Sequence, residues 1–261
     1  MKTTLDLGGY YYGKKKYDLA YKYYSIAADA DIPYAWIDLG YIWYYGRTGV
    51  KDYKQAYECF NKALKLLTGM SIEDHAFYDD KRKVKLKDME EYDAYINTVY
   101  KLADMYHAGH YVTKDYDRYA YLINHLLQLI TDSDPWEVPD DYLPELELRQ
   151  AEILVTLKND NNAAIDLLSD AKERMVERLF DDPFFGNFSI MKSIVLQLYK
   201  LKEFDPVNMD LYYVLQKPCI VTFKDKNNHV IKAEKEGQGI AASLDNKWYH
   251  TVDDLISKGS I

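Results

Sequence analysis

A chain of 261 residues that is 48% hydrophobic and 29% charged is long enough for one large globular domain or two modest ones. Its formal net charge of −9 disfavours nonspecific binding to nucleic acid or to an anionic membrane. The two cysteines, Cys59 and Cys219, resemble neither a disulfide framework nor a zinc site. No run approaches the ~18 apolar residues of a membrane span and the start lacks an apolar signal-like stretch, so a reducing cytoplasm is expected.

Residues 1–33 read as a helix pair. Leu7, Gly8 and Tyr11 share one helical face, and Ala20, Tyr24 and Ala27 form a small–large–small stripe on the next helix. Lys14, Lys15 and Lys16 between them read as solvated loop. Pro33 then breaks the chain before a second pair over 34–63. There Ala35, Leu39 and Trp43 recur every four residues, with Gly40 beside them where a missing Cβ lets another helix approach. Gly46 and Gly49 punctuate the loop, and Asp52 is placed to cap the following helix. Ala56, Phe60 and Ala63 repeat the stripe of Ala20, Tyr24 and Ala27, each 36 residues on. Such a unit cannot bury both stripes alone and needs neighbours of its own kind.

Trp36, Leu39, Gly40 and Trp43, followed by Ala56 and Phe60, resemble the start and second helix of a tetratricopeptide-type repeat. The longer loop, with Gly46, Gly49, Val50 and Asp52, is similar to the variant called the Sel-one-like repeat. The first pair departs from that variant in its short loop. The resemblance implies a mostly α fold, a right-handed α-solenoid of helix-turn-helix repeats that binds other proteins as an adaptor. It also implies that the first helices of the repeats line a concave groove.

Residues 68–92 do not fit the period and are charge-dense, which predicts an insertion that extends helices or adds a solvated one; residues 70–90 are expected to be exposed. A third pair follows. Leu102, Ala103, Tyr106 and Gly109 match Leu39, Gly40, Trp43 and Gly46 in spacing, and Asp115 opens the second helix with either Tyr119 or Ala120 in the small position. His107 and His110 stand three apart, like a metal pair on a helix, but Gly109 between them and the lack of a third ligand argue against a site. Residues 131–145 predict an acidic loop, its carboxylates suited to capping and solubility.

Residues 146–180 predict a fourth pair, with Ala164, Leu168 and Ala171 as its stripe. Asp181 to Phe188 read as a break, and Ser189 to Lys202 as a further helix. From Pro218 short strands are expected at 219–223, 230–234, 239–244 and 247–251, then a final helix opened by Thr251 and Asp254. The organisation expected is a helical-repeat domain over 1–217 and a small β-rich segment over 218–261, a β-meander plus a helix.

No phosphate-binding, dinucleotide-binding or nucleophile-elbow motif is present in the sequence, so neither catalysis, cofactor nor metal is expected. Two readings remain. In one, a protein or peptide partner lies in the groove, contacted by the residues off the Ala35–Leu39–Trp43 stripe: Ile37, Tyr41, Tyr44 and Tyr45, with Tyr12 in the first pair and Asn97, Tyr100, Asp104 and His107 in the third. In the other, the chain is a structural or regulatory subunit acting through its C-terminal β segment, for example by dimerisation. Neither nucleic acid nor membrane is expected as a partner. The 27 tyrosines are roughly three times ordinary usage. They suit half-buried positions between helices, because the ring is apolar and its tip polar.

Overall fold

The computed structural model describes residues 3–78, 84–134, 136–181 and 185–201, and the backbone of three strands beyond them. The chain divides into two compact units, residues 1–140 and 141–261, and each is described by itself. No described helix is long and apolar enough to cross a membrane.

The first unit is built of three helix pairs: α1 (Thr4–Gly13) with α2 (Tyr17–Ala28), α3 (Pro33–Tyr45) with α4 (Tyr53–Thr68), and α5 (Met89–Ala108) with α6 (Tyr116–Thr131). Side-chain oxygens start four of these helices by accepting otherwise unpaired backbone N–H groups. Thr3 and Asp6 form a capping box on α1. Asp52 accepts from the N–H groups of Lys54 and Gln55, Asp88 from Glu91 and Asp115 from Arg118. Helices α3 and α5 end on left-handed glycines, Gly46 at φ 64° and Gly109 at φ 72°.

The loops that follow these two glycines have one geometry. Arg47 N–H donates to Ile42 O and Asp52 N–H to Trp43 O; 63 residues on, His110 N–H donates to Met105 O and Asp115 N–H to Tyr106 O. The same offset settles the register of α6. Tyr119 stands four residues after the Asp115 cap, as Ala56 does after Asp52, and it is Tyr119 that holds the small position, fully buried.

Within each pair the helices touch where the sequence puts glycine against a ring. A Cβ on Gly8 would lie 2.4 Å from Tyr24, and one on Gly40 would lie 2.6 Å from Phe60. The third pair uses a different combination. Ala103 stands in the glycine position and Ile123 in the ring position, both fully buried. A methyl gained on one helix is matched by a smaller side chain on the other, which keeps the volume filled.

The expectation of an exposed insertion at 70–90 is corrected over its first part. Ile72 and Phe77 are fully buried, and residues His75–Tyr78 form a single 3-10 turn. Asn61 accepts the Ile72 N–H, Tyr57 donates to Glu73, and Tyr78 donates to Ile72 O. Two apolar side chains, dispersed among charges without a helical period, help pin this segment between α4 and α6, where Phe77 meets the His125 ring and Tyr78 the Tyr121 ring. The insertion also lengthens α5 to 20 residues against 13 in α3. Residues 79–83 lie outside the described residues. Trypsin is therefore expected to cut at exposed Lys85 or Lys87, while chymotrypsin leaves Phe77 and Tyr78 intact. Early chymotryptic cleavage at 77–78 would refute the packed assignment.

In the second unit, α7 (Leu143–Ile153) runs on into a π-helical turn (Leu154–Lys158) and ends on Asn159 in the left-handed region. Helices α8 (Asn161–Asp181) and α9 (Phe185–Leu201) follow. Ala164, Leu168 and Ala171 are fully buried against Met191, Ile194 and Val195 of α9. Helix α9 begins four residues before Ser189, because Phe185 to Phe188 continue its turns; residues 182–184 lie outside the described residues. The acids near 145 are not all surface groups. Glu145 and Glu147 are buried in ion pairs with Arg178 at 2.7 Å and Arg174 at 3.3 Å. The strands β1 (Ile220–Lys224), β2 (Val230–Glu236) and β3 (Gly239–Ala242) pair antiparallel in chain order, and β3 lies against α9. The expected strand at 247–251 and the final helix lie outside the described residues.

Candidate functional site

Most of the residues assigned to the groove meet on one face made by α1, α3 and α5. Tyr41 donates its hydroxyl to Asn97 Oδ1 at 2.6 Å. Its ring stands edge-on to Phe60 and lies parallel to Tyr45, centroids 6.0 Å apart. The Lys101 ammonium sits 5.5 Å from the Tyr41 ring, 5.8 Å from Tyr44 and 5.2 Å from Tyr100. Asp104 pairs with that ammonium at 3.4 Å. Tyr12 joins through Arg47, whose Nε donates to the Tyr12 hydroxyl at 3.1 Å while its guanidinium lies 5.0 Å from Tyr45. Lysine and arginine over ring faces gain from the negative π surface and hold the rings in place.

Two of the assigned residues do not belong to this face. Ile37 is only 1% exposed. Helix α3 packs against α2, α4 and α5 at once, so an apolar side chain off the main stripe is covered too. His107 turns to its own pair, its ring 4.6 Å from buried Tyr119 and 5.5 Å from Tyr116.

Sequence spacing missed a contact that repeats between pairs. The residues after Gly46 and Gly109 each reach back to two aromatic rings of the preceding pair. Arg47 lies 5.9 Å from Tyr12 and 5.6 Å from Tyr17. His110, 63 residues on, lies within hydrogen-bond distance of the Tyr44 hydroxyl through Nδ1, at 3.1 Å, and stacks on Tyr53 at 4.0 Å. Burial and the Lys51 ammonium lower the His110 pKa below 6.5, against the opposing charge of Asp104. The helical metal pair considered for His107 and His110 is thereby split between two joints. Among the described residues no group of three His, Cys, Asp or Glu side chains is placed to hold a metal ion.

A second contact between pairs carries a carboxylate. Tyr24 takes in α2 the place that Phe60 takes in α4, and it brings a hydroxyl that Phe60 lacks. Asp38 of α3 lies beside it. Burial pushes the Asp38 carboxyl up to about 7, against the neighbouring Tyr24 hydroxyl, which favours its charged form. Cys59 is buried beside Glu58, and burial pushes its thiol up to about 12, so it is a packing residue and not a nucleophile.

No family model matches the chain, and no curated protein matches it. Among solved structures it is similar to a Sel1 repeat protein from Oxalobacter formigenes, at 19% identity over 82% of this chain and 86% of that one, with a TM-score of 0.34. It is also similar to a protective antigen of uropathogenic Escherichia coli strains displaying an SLR fold, at 18% identity over 82% of this chain and 50% of that one, with a TM-score of 0.28.

Proposed function

We propose that this chain is a non-enzymatic helical-repeat scaffold of the Sel-one-like kind, an adaptor that holds a peptide or protein segment on the α1, α3 and α5 face. The observation that carries this reading is the half-buried cluster of Tyr12, Tyr41, Tyr44, Tyr45, Asn97, Tyr100, Lys101 and Asp104. Rings that only filled space between helices would be covered. Here Tyr45 is 43% exposed and the others are intermediate, so ring edges remain open to a partner. Their orientations are already set by Lys101, Arg47 and Asn97, which lowers the entropic cost of binding. Tyrosine offers large contact area with few torsions to fix, and a hydroxyl for backbone groups of an extended chain. The β1–β3 meander, with β3 against α9, serves in this reading as a cap on the last helices and not as the partner-binding element.

The test is Tyr41→Ala and Tyr44→Ala, each melted and assayed against the partner recovered by affinity capture. A face residue is expected to cost about 1–2 kcal/mol of stability, near the worth of its hydrogen bond and ring contacts, and at least tenfold in affinity. Destabilisation of both by the ~3–5 kcal/mol typical of a core aromatic, or unaltered affinity, would sink the assignment.

A further inference from the structure

The three loops inside the helix pairs, residues 13–16, 46–52 and 109–115, lie together on one edge of the first unit. Arg47 bridges the first two through Tyr12 and Tyr17, and His110 bridges the last two through Tyr44 and Tyr53. In a chain of net charge −9 this edge is basic. It carries Lys14, Lys15, Lys16, Arg47, Lys51 and Lys114, against only Asp52 and Asp115, and both of those acids are engaged as helix caps. Among the described residues none of the six cations has an acidic partner within ion-pair distance. The five lysines are exposed and Arg47 is half-buried.

Three of the cations are held by rings. Lys14 lies 5.9 Å from Tyr10, Lys51 lies 5.6 Å from Tyr53, and Arg47 is flanked by Tyr12, Tyr17 and Tyr45. A ring beside the ammonium or guanidinium places the charged head without neutralising it. Of the chain segments that follow the second helices, residues 29–32 and 132–140 contain no lysine or arginine and six acidic residues, and residues 69–88 carry five charges of each sign.

We propose that this loop edge docks a short acidic polypeptide segment of a partner protein, its carboxylates meeting the unpaired cations. The inference goes beyond the face reading and stands without it, since it needs only the edge. Length and charge favour a polypeptide over a nucleic acid. Three neighbouring helix pairs, with axes about 10 Å apart, span about 20 Å, the reach of roughly six extended residues. A nucleic-acid strand carries charge along its whole length and would run off this edge toward the acidic remainder of the surface.

The experiment is fluorescence anisotropy of the full chain with labelled hexaglutamate, with hexaglutamine and with a single-stranded hexanucleotide. The edge variant is Lys14→Gln/Lys51→Gln/Lys114→Gln. The control variant, Lys22→Gln/Lys65→Gln/Lys85→Gln, removes the same charge from exposed positions elsewhere. Hexaglutamate is expected to bind, to weaken as salt rises, to lose at least tenfold in the edge variant and to change less than twofold in the control. Melting curves of both variants are expected to match the parent. No binding of hexaglutamate, an equal loss in both variants, or tighter binding of the hexanucleotide would each overturn the proposal. Tyr41→Ala is expected to leave hexaglutamate binding unchanged, which separates failure of the edge from failure of the face.

Discussion

Gly40→Leu is expected to destabilise the first unit by about 3 kcal/mol or more, lowering its melting temperature by roughly 6–12 °C. The Cβ alone would stand 2.6 Å from the Phe60 ring, and all three of its nearest atoms belong to that ring. The ring has nowhere to go: Phe60 is fully buried and Tyr41 stands edge-on to it at 5.6 Å. Gly40→Ala should show the same strain at smaller size. The third pair indicates the remedy, because Ala103 and Ile123 occupy the same two positions there. Gly40→Ala/Phe60→Ile is therefore expected to recover most of what Gly40→Ala loses, as a favourable coupling in a double-mutant cycle. An unchanged melting temperature for Gly40→Leu would remove the support for the repeat register, and a double variant no better than the sum of its parts would remove the pairing of glycine with ring.

The features that were legible in the residues are those set locally. Asp52, Asp115, Gly46 and Gly109 mark helix ends by their own hydrogen bonds and backbone angles, so spacing alone located them. The 36-residue offset between the stripes was legible because one contact, small residue against ring, recurs. Ile37 was not, because a single periodic stripe describes a helix packed on one side, whereas α3 is covered by three neighbours. Ile72 and Phe77 were hidden among charges with no period to mark them. Glu145 read as a solubilising acid because its partner, Arg178, lies far along the chain on α8. The reach of Arg47 and His110 to the preceding pair escaped notice because the two side chains differ in type. Only their shared place, one residue after a left-handed glycine, relates them.

Asp38→Asn is expected to stabilise the protein at pH 8 and leave it nearly unchanged at pH 4. The carboxyl of Asp38 is raised from its ordinary 3.8 to about 7, chiefly by burial, with the Tyr24 hydroxyl opposing the rise. The folded chain therefore keeps a proton on Asp38 across an interval in which the unfolded chain has released it. Stability from this site is fully present below about 3.8 and is lost as pH rises through about 7. Each pH unit carries about 1.4 kcal/mol, so the whole interval amounts to about 4 kcal/mol at most. Asparagine keeps an oxygen for the Tyr24 hydroxyl and carries no charge to desolvate. The variant should gain about 2–4 kcal/mol over the parent at pH 8, read as a shift in urea midpoint at constant slope. Its stability between pH 4 and 8 should be flatter than the parent's by the same amount. Identical pH profiles for the two proteins would show that Asp38 is solvated when charged, and that the Tyr24 contact between the first two helix pairs is not desolvated. A carboxylate at position 38 follows from the tyrosine at position 24. Where the equivalent ring is Phe60, the residue 63 places after Asp38 is Lys101, and it turns instead to Asp104 and the tyrosine face.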